Sequence, residues 1–252
     1  MDICIDVGNT TFSVGLYENG KLINKALFLV DHRLNEDEYE QKVRKTLTEL
    51  NVNSQDIKRA IYSSVVPDVD KKVLSRLKEY LHCPIQRVKE SHIDITFGKI
   101  DVNEVGDDLI ADLVGIKHKY SYPSIVVDLG TASKVLLLDK NGVFDSCLII
   151  PGLSMSIASL SNEAALLPDI ELKVPSSALA HNTVEAMNAG VILGHAEMIK
   201  GLLSRIEKEL GYSCKRILTG GSAIYLKDLL KDEVIYDPNL VLDGLEELLN
   251  RS

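Results

Sequence analysis

Two short stretches of this chain have the residues to hold phosphate. ICIDVGNTTFSVGLY (3–17) and VVDLGTASKVLLLD (126–139) each run a β-forming segment into Asp-x-Gly followed by Asn-Thr or Thr. Gly8 and Gly130 let backbone N–H groups approach a phosphate closely. Asn9, Thr10 and Thr131 add neutral donors. Asp6 and Asp128 suit Mg2+, which keeps much of its water shell and takes few carboxylates. The same residue types are ordinary turn formers, so one such turn alone is equally a hairpin corner. Two at equivalent places in the two halves point instead to a polyphosphate clamped between them. No GxxxxGK[ST] occurs, so this is not a P-loop chain. A third stretch, NEVGDDLIAD (103–112), puts Gly106 and Asp108 at a predicted helix start. Acidic residues there suit the helix dipole. A functional reading makes Asp108 the base for a substrate hydroxyl, since phosphoryl transfer rests on positioning and a carboxylate that orients the nucleophile. A fourth, LTGG (218–221), ends a strand in Gly220 and Gly221, which suits close approach of a nucleotide.

The elements that must carry these turns repeat. ICID, TFSVGLY and LINKALFLV read as three strands, the last two joined by the hairpin turn ENGK. A helix follows over roughly 35–50, with Tyr39, Val43, Leu47 and Leu50 as its apolar stripe. The strand RAIYSSVV, a helix with Val69, Val73, Leu77 and Leu81 on one face, the strand PIQRV and a helix over roughly 103–119 complete the half. IVVDLG, KVLLLD and FDSCLII then restart the pattern, followed by a long helix near 183–209, the strand RILTGG, a helix, the short strand VIY and a C-terminal helix. SYPS (121–124) interrupts the periodicity. The pattern predicts two similar α/β domains, 1–121 and 122–252, with a cleft between them.

Composition narrows the classes. Apolar residues make up 45% of the chain, enough for real cores, and the longest apolar runs are of strand length, too short to span a membrane. The MDICID start lacks the basic and apolar pattern of a secretory signal. The net charge is −9 and no basic stripe exists, which argues against nucleic acid. Cys4, Cys83, Cys147 and Cys214 form no CxxC pair, and Cys4, Cys147 and Cys214 read as core thiols. A cytoplasmic setting fits. His181, beside Asn182, is given no role. Ala186, Gly190 and Gly194 stand four apart and allow close helix approach, within one chain or between two.

Taken in order, DVGNT (6–10), SSVVP (63–67), EVGDD (104–108), DLGTA (128–132), IIPGLSMSIASL (149–160), LP (167–168), NTVEAMNAGVILG (182–194) and LTGG (218–221) resemble the type III pantothenate kinases, over nearly the whole chain. The resemblance implies duplicated ribonuclease-H-like domains of the actin-like, sugar-kinase and Hsp70 ATPase superfold. It implies phosphorylation of pantothenate by ATP, with Mg2+ and a monovalent cation (K+ or NH4+), in a homodimer. By position it implies that Asp6, Gly8, Asn9 and Thr10 form the first phosphate turn, and Asp128, Gly130 and Thr131 the second, with Asp6 and Asp128 on the metal. Gly220 and Gly221 would lie near the nucleoside, Asp108 would be the base, and Gly106 and Thr183 would contact substrate, Thr183 from the partner subunit.

The chain departs from the family pattern where substrate and cation are concerned. Leu109 stands in place of an arginine after the base, and Lys99 in place of a substrate-touching tyrosine. Lys134 and Leu136 replace a Thr and an Asp in the continuation of the second turn. Ser146 and Cys147 replace paired glycines, and Ala180 the glycine before Asn182. Lys134 is then either a fixed ammonium near the phosphates or a solvated lysine on a strand edge. Lys99 is either a replacement for the lost arginine or a surface lysine. Three readings follow: a pantothenate kinase with drifted substrate contacts, a kinase of another small hydroxy compound, or a non-catalytic nucleotide-binding relative.

Overall fold

The computed structural model describes residues 1–251, with Glu90 by its backbone alone. The chain divides into two compact units. One comprises Met1–Thr96, Asp101–Lys119 and the stretch from Asn239 onward, the other Phe97–Ile100 and Tyr120–Pro238.

In the first unit, β1 (Asp2–Val7), β2 (Thr11–Glu18) and β3 (Lys21–Leu29) form an antiparallel meander, closed between β2 and β3 by Asn19 and Gly20, both at positive φ. Such a pair matches the twist of a two-residue hairpin. The helix α1 (Glu36–Glu49) starts at a capping box: Asn35 accepts from the Glu38 amide and Glu38 accepts from the Asn35 amide. Strand β4 (Arg59–Ser64) runs parallel to β1, and Pro67 sits at the first turn of α2 (Pro67–Leu81), where its missing N–H costs nothing. With β5 (Ile85–Arg87) the sheet order is β3-β2-β1-β4-β5.

Alternation along β1 sorts its two faces. Ile3, Ile5 and Val7 join the core under α1 and α2, where Tyr39, Val43, Leu47, Leu50, Val69, Val73, Leu77 and Leu81 are all buried. Asp2, Cys4 and Asp6 turn the other way. Asp2 pairs with Arg59, and Cys4 meets Glu246 of the last helix, α6 (Leu240–Asn250). That helix packs along α3 (Asp107–Lys119) with Gly115 and Gly244 at the contact. The sequence boundary at 121/122 assigned this helix to the second half. Its leucines 240, 242, 245, 248 and 249 are instead buried within the first unit, each contributing about 1.5–3 kcal/mol when taken out of water.

The second unit repeats the plan. β7 (Ser124–Leu129), β8 (Ala132–Leu138) and β9 (Val143–Pro151) form an antiparallel meander. β10 (Lys215–Thr219) runs parallel to β7, and β11 (Ile235–Tyr236) parallel to β10. The order β9-β8-β7-β10-β11 is that of the first sheet, with β6 (Thr96–Phe97) added beside β9. Ile125, Val127 and Leu129 face α4 (Leu153–Glu163) and α5 (Thr183–Leu210) in the core, while Val126 and Asp128 alternate to the opposite face. α5 stops at Gly211, whose φ of 75° terminates the helix. Gly221–Tyr225 forms only a short 3-10 turn where a helix was expected.

Candidate functional site

In the first unit, β1 and β4 end side by side, and their last residues meet the start of α3. Asp6 lies opposite Ser63 in the parallel register, and the Ser63 hydroxyl donates to Asp6 Oδ1 at 2.8 Å. Across the antiparallel side Asp6 faces Ser13. The Val65 amide donates to Val7 O, and the side chain of Val65 abuts Gly106. Gly106 has a local reason to be glycine: a Cβ there would come 2.6 Å from Asp108 Oδ1 and 3.2 Å from Val65. The Asp108 side chain therefore folds back over Gly106 and accepts from the Leu109 amide at 2.8 Å. Asp6, Gly106 and Asp108, separated by a hundred residues in sequence, thus share one corner of this unit.

Next to Asp108, Asp107 is buried. Burial pushes its carboxyl above the usual range, while Lys89, Arg87 and the Ser64 amide hold it partly down. Gly8 has no comparable packing demand. Its φ is not positive, and the nearest atom to a Cβ there is Thr11 O at 3.6 Å, an ordinary contact. Packing does not demand glycine at 8, and a bare backbone there suits a ligand drawn up to the turn. Leu109, expected beside the substrate, is buried at 8% exposure on α3, and its side chain offers no donor. Lys99 is exposed in the second unit after β6, following Gly98, whose amide donates to Phe144 O.

In the second unit, Asp128 ends β7 opposite Thr219 on one side and Lys134 on the other. Lys134 is not an edge residue: β8 lies between β7 and β9. Its ammonium stands 3.4 Å from Asp128 Oδ2, with the two side chains 18% and 9% exposed. Leu136, on the same face, is buried against Cys147 of β9. Gly220 has φ 91°, and a Cβ there would come 2.5 Å from both Asp128 Oδ1 and Leu129 N. Only glycine allows this approach, so Gly220 packs on Asp128, whereas a Cβ at Gly221 would meet open space. Gly130 is also uncrowded, its nearest neighbour being Ala132 O at 3.4 Å. The Gly152 amide donates to Thr131 O at 3.1 Å, and a Cβ on Gly152 would collide with the Thr131 and Gly130 carbonyls. His195, buried on α5, places Nε2 2.9 Å from Pro151 O and Nδ1 3.0 Å from Val191 O. The second turn is therefore braced from behind by Gly152 and His195. Thr183 is exposed at the first turn of α5, after the N-cap Asn182.

Sequence reasoning gave Ser63 and His195 no role. Ser63 had a signal in SSVVP, which ends the strand parallel to β1. His195 had none, because its carbonyl partner on Pro151 is 44 residues away.

A family model described as type III pantothenate kinase matches residues 3–205. The chain belongs to the type III pantothenate kinase family. Its similarity to curated members of that family runs the full length: 34% identity to one from Desulfosudis oleivorans over 97% of both chains, and 31% to one from Persephonella marina over 98% of both. Among solved structures, a chain described as a conserved putative Baf family transcriptional activator from Campylobacter jejuni superposes with a TM-score of 0.61 at 18% identity, covering 98% of this chain and 97% of that one. A putative 2-dehydro-3-deoxygalactonokinase from Sinorhizobium meliloti gives 0.57 at 12%, covering 97% and 94%. These two likenesses bear on fold alone. The repeated sheet order is that of duplicated ribonuclease-H-like domains, the actin-like ATPase architecture. As a type III pantothenate kinase family member the chain is a phosphotransferase with an alcohol acceptor.

Proposed function

We propose that this chain phosphorylates pantothenate with ATP, giving 4'-phosphopantothenate in the first step of coenzyme A synthesis. The observation that carries the reading is the corner of the first unit, where the Asp6–Ser63 pair and the Gly106–Asp108 start of α3 flank Val65, in a chain whose family membership spans its length. Asp108 is assigned as the residue that orients the acceptor hydroxyl and takes its proton. Gly106 leaves Asp108 room to sit there and lies beside the substrate. Asp6, Gly8, Asn9 and Thr10 bind phosphate in the first unit. Asp128, Gly130 and Thr131 bind it in the second, with Gly221 toward the nucleoside and Gly220 holding Asp128 in place.

Mg2+ fits Asp6, which accepts from the neutral hydroxyl of Ser63 and faces Ser13 across the antiparallel pair. It fits Asp128 poorly, because the Lys134 ammonium already faces that carboxylate. Among the described residues no three acidic, histidine or cysteine side chains converge, so a metal here would take most of its ligands from phosphate oxygens and water. Bound there, it would neutralise charge on the transferring phosphoryl group. The protein's own share is to align hydroxyl and phosphate and to accept one proton on Asp108.

We further propose a homodimer in which Thr183 reaches the partner's site. The exposed apolar side chain of Val184, next to Thr183 in the chain, and those of Leu179 and Leu166, at 47%, 77% and 95%, are of the kind an interface would cover. A light-scattering mass of one chain would refute it.

The test of the activity is steady-state ADP release with pantothenate. We expect turnover by the wild type and a loss of about 100- to 10,000-fold in kcat for Asp108→Asn, with unchanged thermal stability. No pantothenate-dependent turnover by the wild type overturns the proposal.

A further inference from the structure

The duplicated fold contains its own comparison. At the end of β1, Asp6 has Ser63 beside it on the parallel strand and Ser13 across the antiparallel one. At the end of β7, Asp128 has Thr219 in the first of these places and Lys134 in the second. The two turns therefore match in architecture and differ in charge. One presents a carboxylate among hydroxyls. The other presents a carboxylate with an ammonium 3.4 Å away.

We propose that Lys134 is the built-in cation of the second phosphate turn, so that the phosphates of the nucleotide dock on the Asp128–Lys134 pair with no metal ion at Asp128. This rests on the reading above that the chain binds ATP. Three observations carry it. Lys134 lies on an interior strand and is 18% exposed, so its charge is held where solvent screens it less than at a surface. Leu136 and Cys147 supply no competing carboxylate on that face of the sheet. Both oxygens of Asp128 already have close neighbours: Oδ1 lies against the Gly220 backbone, and Oδ2 faces the ammonium. A hydrated divalent ion needs space and an uncompensated charge, and this carboxylate has neither. Asp128 then serves as a positioning residue that aims the Lys134 ammonium, while Asp6 alone carries the metal.

Charge-assisted hydrogen bonds to phosphate predict the size of the effect. Removing the ammonium both deletes such a bond and leaves a bare carboxylate facing the phosphates, which should weaken ATP binding about ten- to hundred-fold. A small cation supplied in solution should recover part of that loss by entering the vacated place, whereas a bulky one should not.

The experiment is calorimetric titration of ATP into the full-length protein with Mg2+ present. The monovalent cation is tetramethylammonium alone or ammonium, and the proteins are wild type, Lys134→Met and Lys134→Arg. We expect the wild-type Kd to agree within about twofold in the two salts. Lys134→Met should lose ten- to hundred-fold in tetramethylammonium and regain several-fold in ammonium, and Lys134→Arg should stay within about fivefold of wild type in both. Lys134→Met binding ATP as the wild type does, or a wild type that needs ammonium, overturns the inference and leaves the kinase reading standing. A wild type that binds no ATP in either salt overturns both. If Lys134→Met fails to fold, the wild-type and Lys134→Arg arms still decide: cation-independent binding by both supports the assignment, and ammonium-dependent binding by either sinks it.

Discussion

Gly244→Ala should destabilise this protein although alanine is the better helix former. The reason is the contact between α6 and α3. A Cβ on Gly244 would run into the Ala111 carbonyl and lie 3.0 Å from Gly115 N, and a Cβ on Gly115 would come 2.7 Å from Leu240 O. These neighbours are backbone, so no rotamer change relieves them and the helices must part. Overpacking of this kind costs about 1–3 kcal/mol, and the upper end applies when backbone meets backbone. Replacing an interior helix glycine returns about 1 kcal/mol. The net expectation is a loss of about 2 kcal/mol, or a fall of roughly 4–8 °C in melting temperature at the usual 2–4 °C per kcal/mol for a chain of this size. Gly201→Ala is the matched control. Gly201 lies within α5, and a Cβ there meets nothing within 4 Å, so it should gain about 1 kcal/mol. Differential scanning calorimetry of the two variants and the wild type decides the matter. Equal or higher stability for Gly244→Ala would refute the close helix contact.

Three further outcomes follow from groups near the site and the core. Glu246 is buried beside Cys4 and Asn250, and burial raises its carboxyl above the ordinary glutamate value. Between the unfolded and the raised folded value the native state binds more protons, so this group makes stability fall as pH rises through that window. Glu246→Gln should flatten that part of the stability–pH curve, measured by urea unfolding across pH. Ser63→Ala removes the hydroxyl bonded to Asp6. A hydrogen bond to a charged group contributes about 1.5–3 kcal/mol, so kcat/KM should fall about tenfold or more, with the pantothenate KM less affected than the Mg2+ dependence. His195→Ala removes the imidazole that lies between Pro151 O and Val191 O and donates to one of them, and should loosen the second turn, raising the KM for ATP several-fold at a stability cost of about 1–3 kcal/mol, read by kinetics and melting together.

Much of the architecture was legible because it is periodic. The stripes of α1 and α2, the Asn-Gly hairpin, both meanders and the length of α5 each follow from local pattern. The helix expected from 103 begins at Asp107, because Asp101 caps a separate short turn over Val102–Glu104. What the sequence concealed was lateral. Lys134 read equally as a solvated edge lysine because edge and interior strands differ only in their neighbours, and strand order is not written along the chain. The burial of Leu109 on α3 was equally hidden, since Asp107 to Ile116 alternate little in polarity along the chain. The last helix was counted with the nearer half in sequence, although its leucines match the bare face of the farther one. Glycines divided the same way: those at 8, 130 and 221 looked like those at 106, 152 and 220, and only the surrounding atoms separate the ones the fold demands from the ones it leaves open.

The placement of α6 has a consequence for how the molecule is made. The helix covers the Cys4 face of β1, although 242 positions separate Cys4 from its partner Glu246. Until α6 is made, the outward face of that strand, with Cys4 and Asp2, lacks this cover, and the second unit is synthesised in the interval. Nascent chains should therefore stay sensitive to protease in their first unit until α6 has emerged, and deletion of Leu240–Asn250 should be as damaging as a lesion in β1.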